Sequence, residues 1–386
     1  MPWNESTRMD ERRKLVEAYL SDHFTMAELC RCAGVSRPTG YLWVERYRRF
    51  GESGLEDRSH APHHCPHRTS AKMVDCLVQL RRRHPFWGAR KLVSYGARRW
   101  PEWPWPSRST AALLLREAGL VRPRRRRPTQ PQRSGQAART PPDPNALWCT
   151  DFKGEFYTGD HRYCYPHTVS DLATRFVLGL TGLHDQSIVP TDAAMDRVMR
   201  EYGLPDRLHF DWGSPFAGIG LGGITRLSLK WLKLGIRLER SRPGCPQDNA
   251  SHERMHRTLK QETARPPAAN LAAQQRRFDR FRRTFNFERP HESLDDRTPA
   301  DLYRPSGRLY PSRLRDPAYP EHFEVRRLSP RGELRLNGRS RFFGSVFAGE
   351  LLGLEPAEDG VWMLYFGPQR LACLDETIGK IIEVPL

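Results

Sequence analysis

Between residues 146 and 305 short apolar runs alternate with longer amphipathic ones, which restricts this part of the chain to a sheet covered by helices. Residues 146–157 and 163–169 read as a hairpin pair, and 174–180 as a third strand. A helix over 189–202 separates these from strands at 207–211 and 235–239, and helices follow at 249–262 and 271–286. Three acids punctuate the pattern. Asp151 lies in the first strand, Asp211 ends the apolar run Leu208-His209-Phe210, and Glu253 sits on the helix that follows. Three carboxylates delivered by two strands and a helix form an oxygen-rich donor set for hard divalent cations.

The remaining composition bears on partners. Lys and Arg number 63 against 45 Asp and Glu, leaving +18 and a sequence pI near 9.9. That excess suits a polyanion, most simply nucleic acid. No long uncharged apolar run is present and the start lacks a basic-then-apolar pattern, so the expected location is the cytoplasm, on DNA. Eight scattered cysteines suggest reduced thiols. The stretch from His60 to His67 has no paired ligand spacing and reads as a linker, not a zinc site.

Residues 1–58 read as a helix-turn-helix domain. Thr25-Met26-Ala27-Glu28 is a capping box, Gly34 supplies the turn, and Ser36 caps a third helix with Pro38 in its first turn. That helix carries Arg37, Thr39, Tyr41 and Arg46 as candidate DNA contacts. Residues 70–120 repeat the three-helix theme, suggesting a second helix-turn-helix-like unit and a bipartite DNA footprint. Residues 121–145 form a basic linker with Arg124, Arg125 and Arg126 aimed at phosphates. The core is placed at 146–305. Residues 320–386 are strand-rich, with Asn337-Gly338 as a hairpin turn, and suggest a small β-barrel.

The core motifs resemble those of insertion-sequence transposases related to retroviral integrases, the DDE type. The likeness rests on Trp148-x-x-Asp151-Phe152-Lys153, Asp171-x-x-Thr174-Arg175 and Asp211-x-Gly213-Ser214-Pro215-Phe216. It continues through Gln247-Asp248-Asn249-x-x-His252-Glu253-Arg254-x-His256-Arg257-Thr258-Leu259-Lys260 and Asn286-x-Glu288-Arg289-Pro290-His291. The resemblance spans nearly the whole chain and implies a multidomain protein. Tandem α-helical helix-turn-helix units would precede an α/β RNase H-like integrase core, a mixed sheet with helices on both faces, and a small C-terminal β-barrel would close the chain.

It also implies Asp151, Asp211 and Glu253 as catalytic residues and as ligands of two Mg²⁺ or Mn²⁺ ions. The partners implied are double-stranded DNA, as element ends and target, and further copies of the chain in a dimer or larger assembly. Arg257 and Lys260 share the helical face of Glu253 and are expected to grip the DNA end. Asp248 or Asn249 is expected to cap that helix, Asp171 to support the structure, and His252 and His256 to shape the DNA groove. Two departures stand out: Trp212 replaces the family's usual Asn, and Ala250-Ser251 stands where a Gly followed by a polar residue is common. They keep an alternative open, a DNA-binding regulator or catalytically decayed transposase.

Overall fold

The computed structural model describes residues 6–58, 68–121, 143–218, 220–241, 250–358 and 360–383. The chain divides into two compact units, Met1–Arg68 and Thr69–Leu386. The expected linker contacts at Arg124, Arg125 and Arg126, the helix caps at Asp248 and Asn249, and the stretch from His60 to His67 lie outside the described residues.

The first unit holds α1 (Arg8–Leu20), α2 (Met26–Ala33) and α3 (Arg37–Phe50). Thr25 and Glu28 close the expected capping box on α2, and Ser36 caps α3. Gly34 adopts φ 66°, the left-handed conformation that ends α2 and turns the chain into α3. Leu15, Val16, Met26, Cys30, Val44 and Leu55 form its core.

The second unit opens with α4 (Ala71–Arg83), α5 (Ala89–Arg99) and α6 (Arg108–Glu117), packed around Leu77, Leu80, Trp87, Leu92 and Leu115. The integrase-like region follows. Its strands are β1 (Trp148–Phe152), β2 (Phe156–Tyr157), β3 (Tyr163–Asp171), β4 (Val177–Leu183), β5 (Arg207–Phe210) and β6 (Arg237–Arg240). β3 pairs antiparallel with β1, β2 and β4, while β1, β5 and β6 run parallel, so the sheet is mixed. Side chains of β3 and β4 enter two separate cores, and a β-bulge at Leu178, opposite Val169 and Ser170, interrupts the alternation along β4. Cys164, Val177 and Leu180 pack with Met255, Leu259, Phe278, Phe281 and Phe285 of α9 (Ala250–Thr263) and α10 (Leu271–Phe287). Val169 and Leu178 join Met195, Val198 and Trp231 of α7 (Ile188–Tyr202) and α8 (Arg226–Lys233). Helices therefore cover both faces, as the sequence suggests. The short helix α11 (Pro299–Leu302) follows α10.

The C-terminal part is an open antiparallel sheet. Its five strands are β7 (Glu324–Arg327), β10 (Leu351–Glu358), β11 (Val361–Phe366), β12 (Gln369–Asp375) and β13 (Lys380–Glu383), in the order β13-β12-β11-β10-β7. β8 (Glu333–Leu336) and β9 (Arg339–Phe342) form a separate hairpin. Asn337 and Gly338 both take positive φ at its turn, as two-residue hairpins require. Among the described residues β7 and β13 remain unpaired edges, so the expected closed barrel is not shown.

A buried polar knot fixes the first strand. Asp171, fully buried at the end of β3, accepts hydrogen bonds from the Asn145 and Thr174 backbone N–H groups (2.7 and 2.8 Å) and the Thr174 hydroxyl (2.6 Å). Asn145 in turn accepts from Trp148 Nε1 and the Tyr303 hydroxyl. Asp171 thus has the supporting geometry expected of it. Replacing it with alanine strands buried donors, so Asp171→Ala should destabilise the second unit by about 3 kcal/mol. Urea unfolding followed by tryptophan fluorescence measures this, and an unchanged midpoint would refute the supporting role.

Candidate active site and DNA-facing surfaces

Asp151 occupies β1 opposite Thr168 of β3, and Asp211 follows directly on the last residue of the parallel neighbour β5. Glu253 lies in the first turn of α9. The Asp211 carboxylate accepts a hydrogen bond from the Gly213 N–H (3.0 Å), which orients it. Asp211 and Glu253 are exposed, whereas the Asp151 side chain is only 19% accessible. Burial raises the Asp151 pKa from 3.8 to about 7, and the negative charges of Asp211 and then Glu253 add to the effect. Asp211 and Glu253 are therefore each within electrostatic reach of Asp151.

A cleft of about 530 Å³ opens over this point. Asp151, Glu253 and His256 line it together with the cations Lys153, Arg257, Lys260 and Arg265. Arg257 and Lys260 thus share the cleft with Glu253, as helical spacing predicts. Lys153 follows Asp151 in its motif, whereas Arg265 carries no local sequence signal, because it lies beyond the end of α9. The donor set suits a hard divalent cation. Asp211 and Glu253 both act on Asp151, and this carboxyl, which burial holds protonated up to about neutral pH, gains most from a positive charge beside it.

His252 and His256 are 1% and 3% exposed; His256 borders the cleft, as expected, whereas His252 lies behind it. The Thr168 hydroxyl donates its one proton to the Asp151 carbonyl (3.0 Å). It then accepts from Nε2–H of both imidazoles, each at 2.7 Å. His252 Nδ1 accepts from the Ser170 hydroxyl at 2.8 Å. Asp151, His252 and His256 bring ligand atoms within 4.8 Å of one another, yet both His252 nitrogens are engaged by hydroxyls. Only His256 Nδ1 is left towards Asp151, 3.7 Å from Oδ2 and too far for a hydrogen bond. Burial pushes the His252 pKa down to about 3 and holds His256 well below its usual range, so both rings are neutral. The sequence spacing gave their helical face but not the hydroxyls on β3 that enclose them.

The helix-turn-helix candidates divide. Arg37 is exposed on α3 and Thr39 is half-buried at its start, where its hydroxyl lies 2.8 Å from Ser36 Oγ. Tyr41 is exposed and meets Tyr19 edge-on. Arg46 folds back, donating to the Glu56 carbonyl (3.0 Å) with its guanidinium over Trp43.

The second helical unit engages the core through its basic face. Arg90 pairs with Asp296 (2.9 Å) and Glu292, Arg98 grips Asp301 with two hydrogen bonds, and Arg108 reaches Asp296. Lys91 is half-buried nearby, and its pKa falls to about 8 through burial and then the Arg289 charge. These contacts turn part of a unit expected to face DNA towards the core, through pairs too distant in sequence to leave a local signal.

The Asp151 shift has a sign that can be tested. Its folded pKa lies above its unfolded value, so without metal its contribution to stability is full below about pH 4 and is lost as pH rises through about 7. Asp151→Asn should abolish that dependence. Relative to the variant, the metal-free wild type should lose stability between pH 4 and 8, by at most about 4 kcal/mol. Urea midpoints across this range provide the measurement, and a constant difference would contradict the shifted titration.

Comparison with known proteins agrees with this geometry. Residues 234–299 match the family model described as an integrase core domain. Residues 11–63 match a helix-turn-helix domain, and 39–115 a homeodomain-like domain. An uncharacterized 31.7 kDa protein of insertion element IS407 from Burkholderia multivorans is 27% identical over 192 residues, covering 49% of this chain and 66% of that protein. The chain thus spans just under two thirds of that relative's length. Similar solved structures include the magnesium complex of the HTLV-2 integrase catalytic core domain in its dimeric form (13% identity, 42% of this chain and 95% of that one, TM-score 0.32). Another is the simian T-cell lymphotropic virus intasome with the PP2A regulatory subunit B56 gamma (15%, 80% and 100%, TM-score 0.39). Neither of these structural likenesses bears on the functional reading. The integrase-core and helix-turn-helix matches and the insertion-element relative agree with the resemblance to insertion-sequence transposases with an integrase-type core.

Proposed function

We propose that this protein cleaves the ends of an insertion element and joins them to target DNA, using Asp151, Asp211 and Glu253 as catalytic residues and metal ligands. The observation that carries the reading is the buried Asp151 carboxyl, which feels the charge of both other acids at a cleft that Lys153, Arg257, Lys260 and Arg265 also line.

Asp151 is the central ligand, since it alone is both buried and coupled to each partner. Asp211 and Glu253 flank it from β5 and α9. Two Mg²⁺ or Mn²⁺ ions, when bound, supply Lewis acidity at the phosphate and favour deprotonation of the attacking water or 3′-OH. The four cleft cations hold the phosphate strand over the acids and offset their charge. Asp211 keeps its orientation through the Gly213 N–H, so no reorganisation is needed when DNA arrives. Neutral His256 walls the cleft without competing as a cation. No covalent protein intermediate is needed, because positioning and charge stabilisation carry phosphoryl transfer. The helix-turn-helix unit brings the element end through Arg37, Thr39 and Tyr41, and Arg46 supports α3 more than it meets DNA. The partners are element-end and target duplexes, and a dimer or larger assembly holds two ends together.

The test uses duplexes made from the DNA flanking this gene, incubated with Mg²⁺ or Mn²⁺. Nicked and strand-transferred products should form with the wild type and be absent with Asp151→Asn. Specific binding without products from the wild type would favour the DNA-binding regulator. For the cleft cations, Lys260→Ala should weaken binding to element ends and reduce the slope of log affinity against log salt by about 1. A salt titration that leaves the slope unaltered would remove Lys260 from the phosphate contacts.

A further inference from the structure

Trp212 follows Asp211 directly, and its indole is 51% exposed. Two contacts hold it there. Its Nε1–H donates to the Ser241 carbonyl at 2.9 Å, and the Arg240 guanidinium lies 4.4 Å from its ring centroid. Arg240 is itself 7% exposed and is fixed from behind. Its Nη2 donates to the Gly223 carbonyl (2.9 Å), and the group also lies over Phe210. A Cβ on Gly223 would stand 2.3 Å from Arg240 Nη1, so the glycine lets the backbone come this close. The Gly-rich loop thus braces an arginine that braces an indole.

The ring is therefore neither a lid over Asp211 nor part of the core, but a pinned aromatic surface facing solvent. Exposing that much apolar area opposes folding, and two dedicated restraints preserve the exposure. A guanidinium behind one ring face also brings positive charge to the place where a phosphate strand must pass. Aromatic surface beside cationic groups is how proteins hold unstacked nucleobases, and it tolerates any base because every base has a π-face. A paired, stacked base offers no free face, so the base received here has to leave the stack.

We propose that Trp212 is a stacking platform for the unpaired nucleobase flanking the phosphate that reacts at Asp151, Asp211 and Glu253. This rests on the reading of the chain as a transposase. Trp212 acts on the substrate's position and not on the chemistry, and its departure from the family's Asn is a gain of a base contact.

The experiment places 5-iodouracil at the nucleotide flanking the cleavage point of an element-end duplex, either paired or mismatched, with Ca²⁺ in place of the reactive metal. Irradiation should crosslink that base to Trp212, as mapped by mass spectrometry. The wild type should bind the mismatched flank about tenfold more tightly than the paired one, because extrusion is then cheaper. Trp212→Phe should keep most of this preference, and Trp212→Ala and Trp212→Asn should lose it, with folding checked by circular dichroism. A crosslink elsewhere, or a mismatch preference that survives in Trp212→Ala, overturns the platform while nicking and strand transfer by the wild type leave the transposase reading standing. Absence of any specific end binding overturns both.

Discussion

Everything around the site follows from one electrostatic constraint, a carboxyl withdrawn from water in the middle of a strand with two more acids acting on it. Burial and like charge both oppose ionisation of Asp151, which lifts its pKa to about 7. Such an arrangement gives the fold no stability and persists because it is held from outside. The holding is visible at every side. β1 is fixed by its antiparallel partner β3 and its parallel partner β5, Asp171 ties the strand start to Asn145 and Tyr303 through the polar knot, and Thr168 donates to the Asp151 backbone itself. The cations of the cleft then face the acids from α9 and the end of β1.

The buried histidines belong to the same scheme. With the Thr168 proton given to the Asp151 carbonyl, each imidazole has one tautomer that satisfies its neighbours. Neutral rings add no positive charge that would compete with a divalent cation, and their hydrogen bonds join α9 to β3 directly beneath the acids. The carboxylates from strand and helix are thereby kept in register by polar contacts rather than by apolar packing alone.

Much of this is legible in the sequence where the determining interactions are local. Thr25, Glu28, Gly34 and Ser36 mark the helix-turn-helix boundaries, and Asn337-Gly338 marks a hairpin, because caps and turns depend on residues three or four positions apart. The three acids could be singled out by motif, and the face shared by Glu253, Arg257 and Lys260 by helical period. The third core strand was placed about three residues early, because Asp171, Thr174 and left-handed Arg175 make a turn before β4 begins at Val177. The helix α8 was missed: Leu227, Leu229 and Trp231 alternate as a strand would, and a glycine-rich run precedes them. The enclosure of His252 and His256 depends on Thr168 and Ser170, over eighty residues away, and the return of Arg46 onto the Glu56 carbonyl is likewise outside any periodic pattern.

The seating of the second helical unit changes what the chain's charge means. Arg90, Arg98 and Arg108 count towards the +18 excess, yet each already faces an acid of the core at Glu292, Asp296 or Asp301. These pairs are partly exposed and are screened over about 8–10 Å at ordinary ionic strength. Salt therefore acts on this protein in two places at once, on the ions that DNA phosphates displace and on the clasp that joins α5 and α6 to the segment after α10. A steep salt dependence of DNA binding would contain a contribution from loosening within the protein, and a count of phosphate contacts taken from the wild-type slope alone would come out too high.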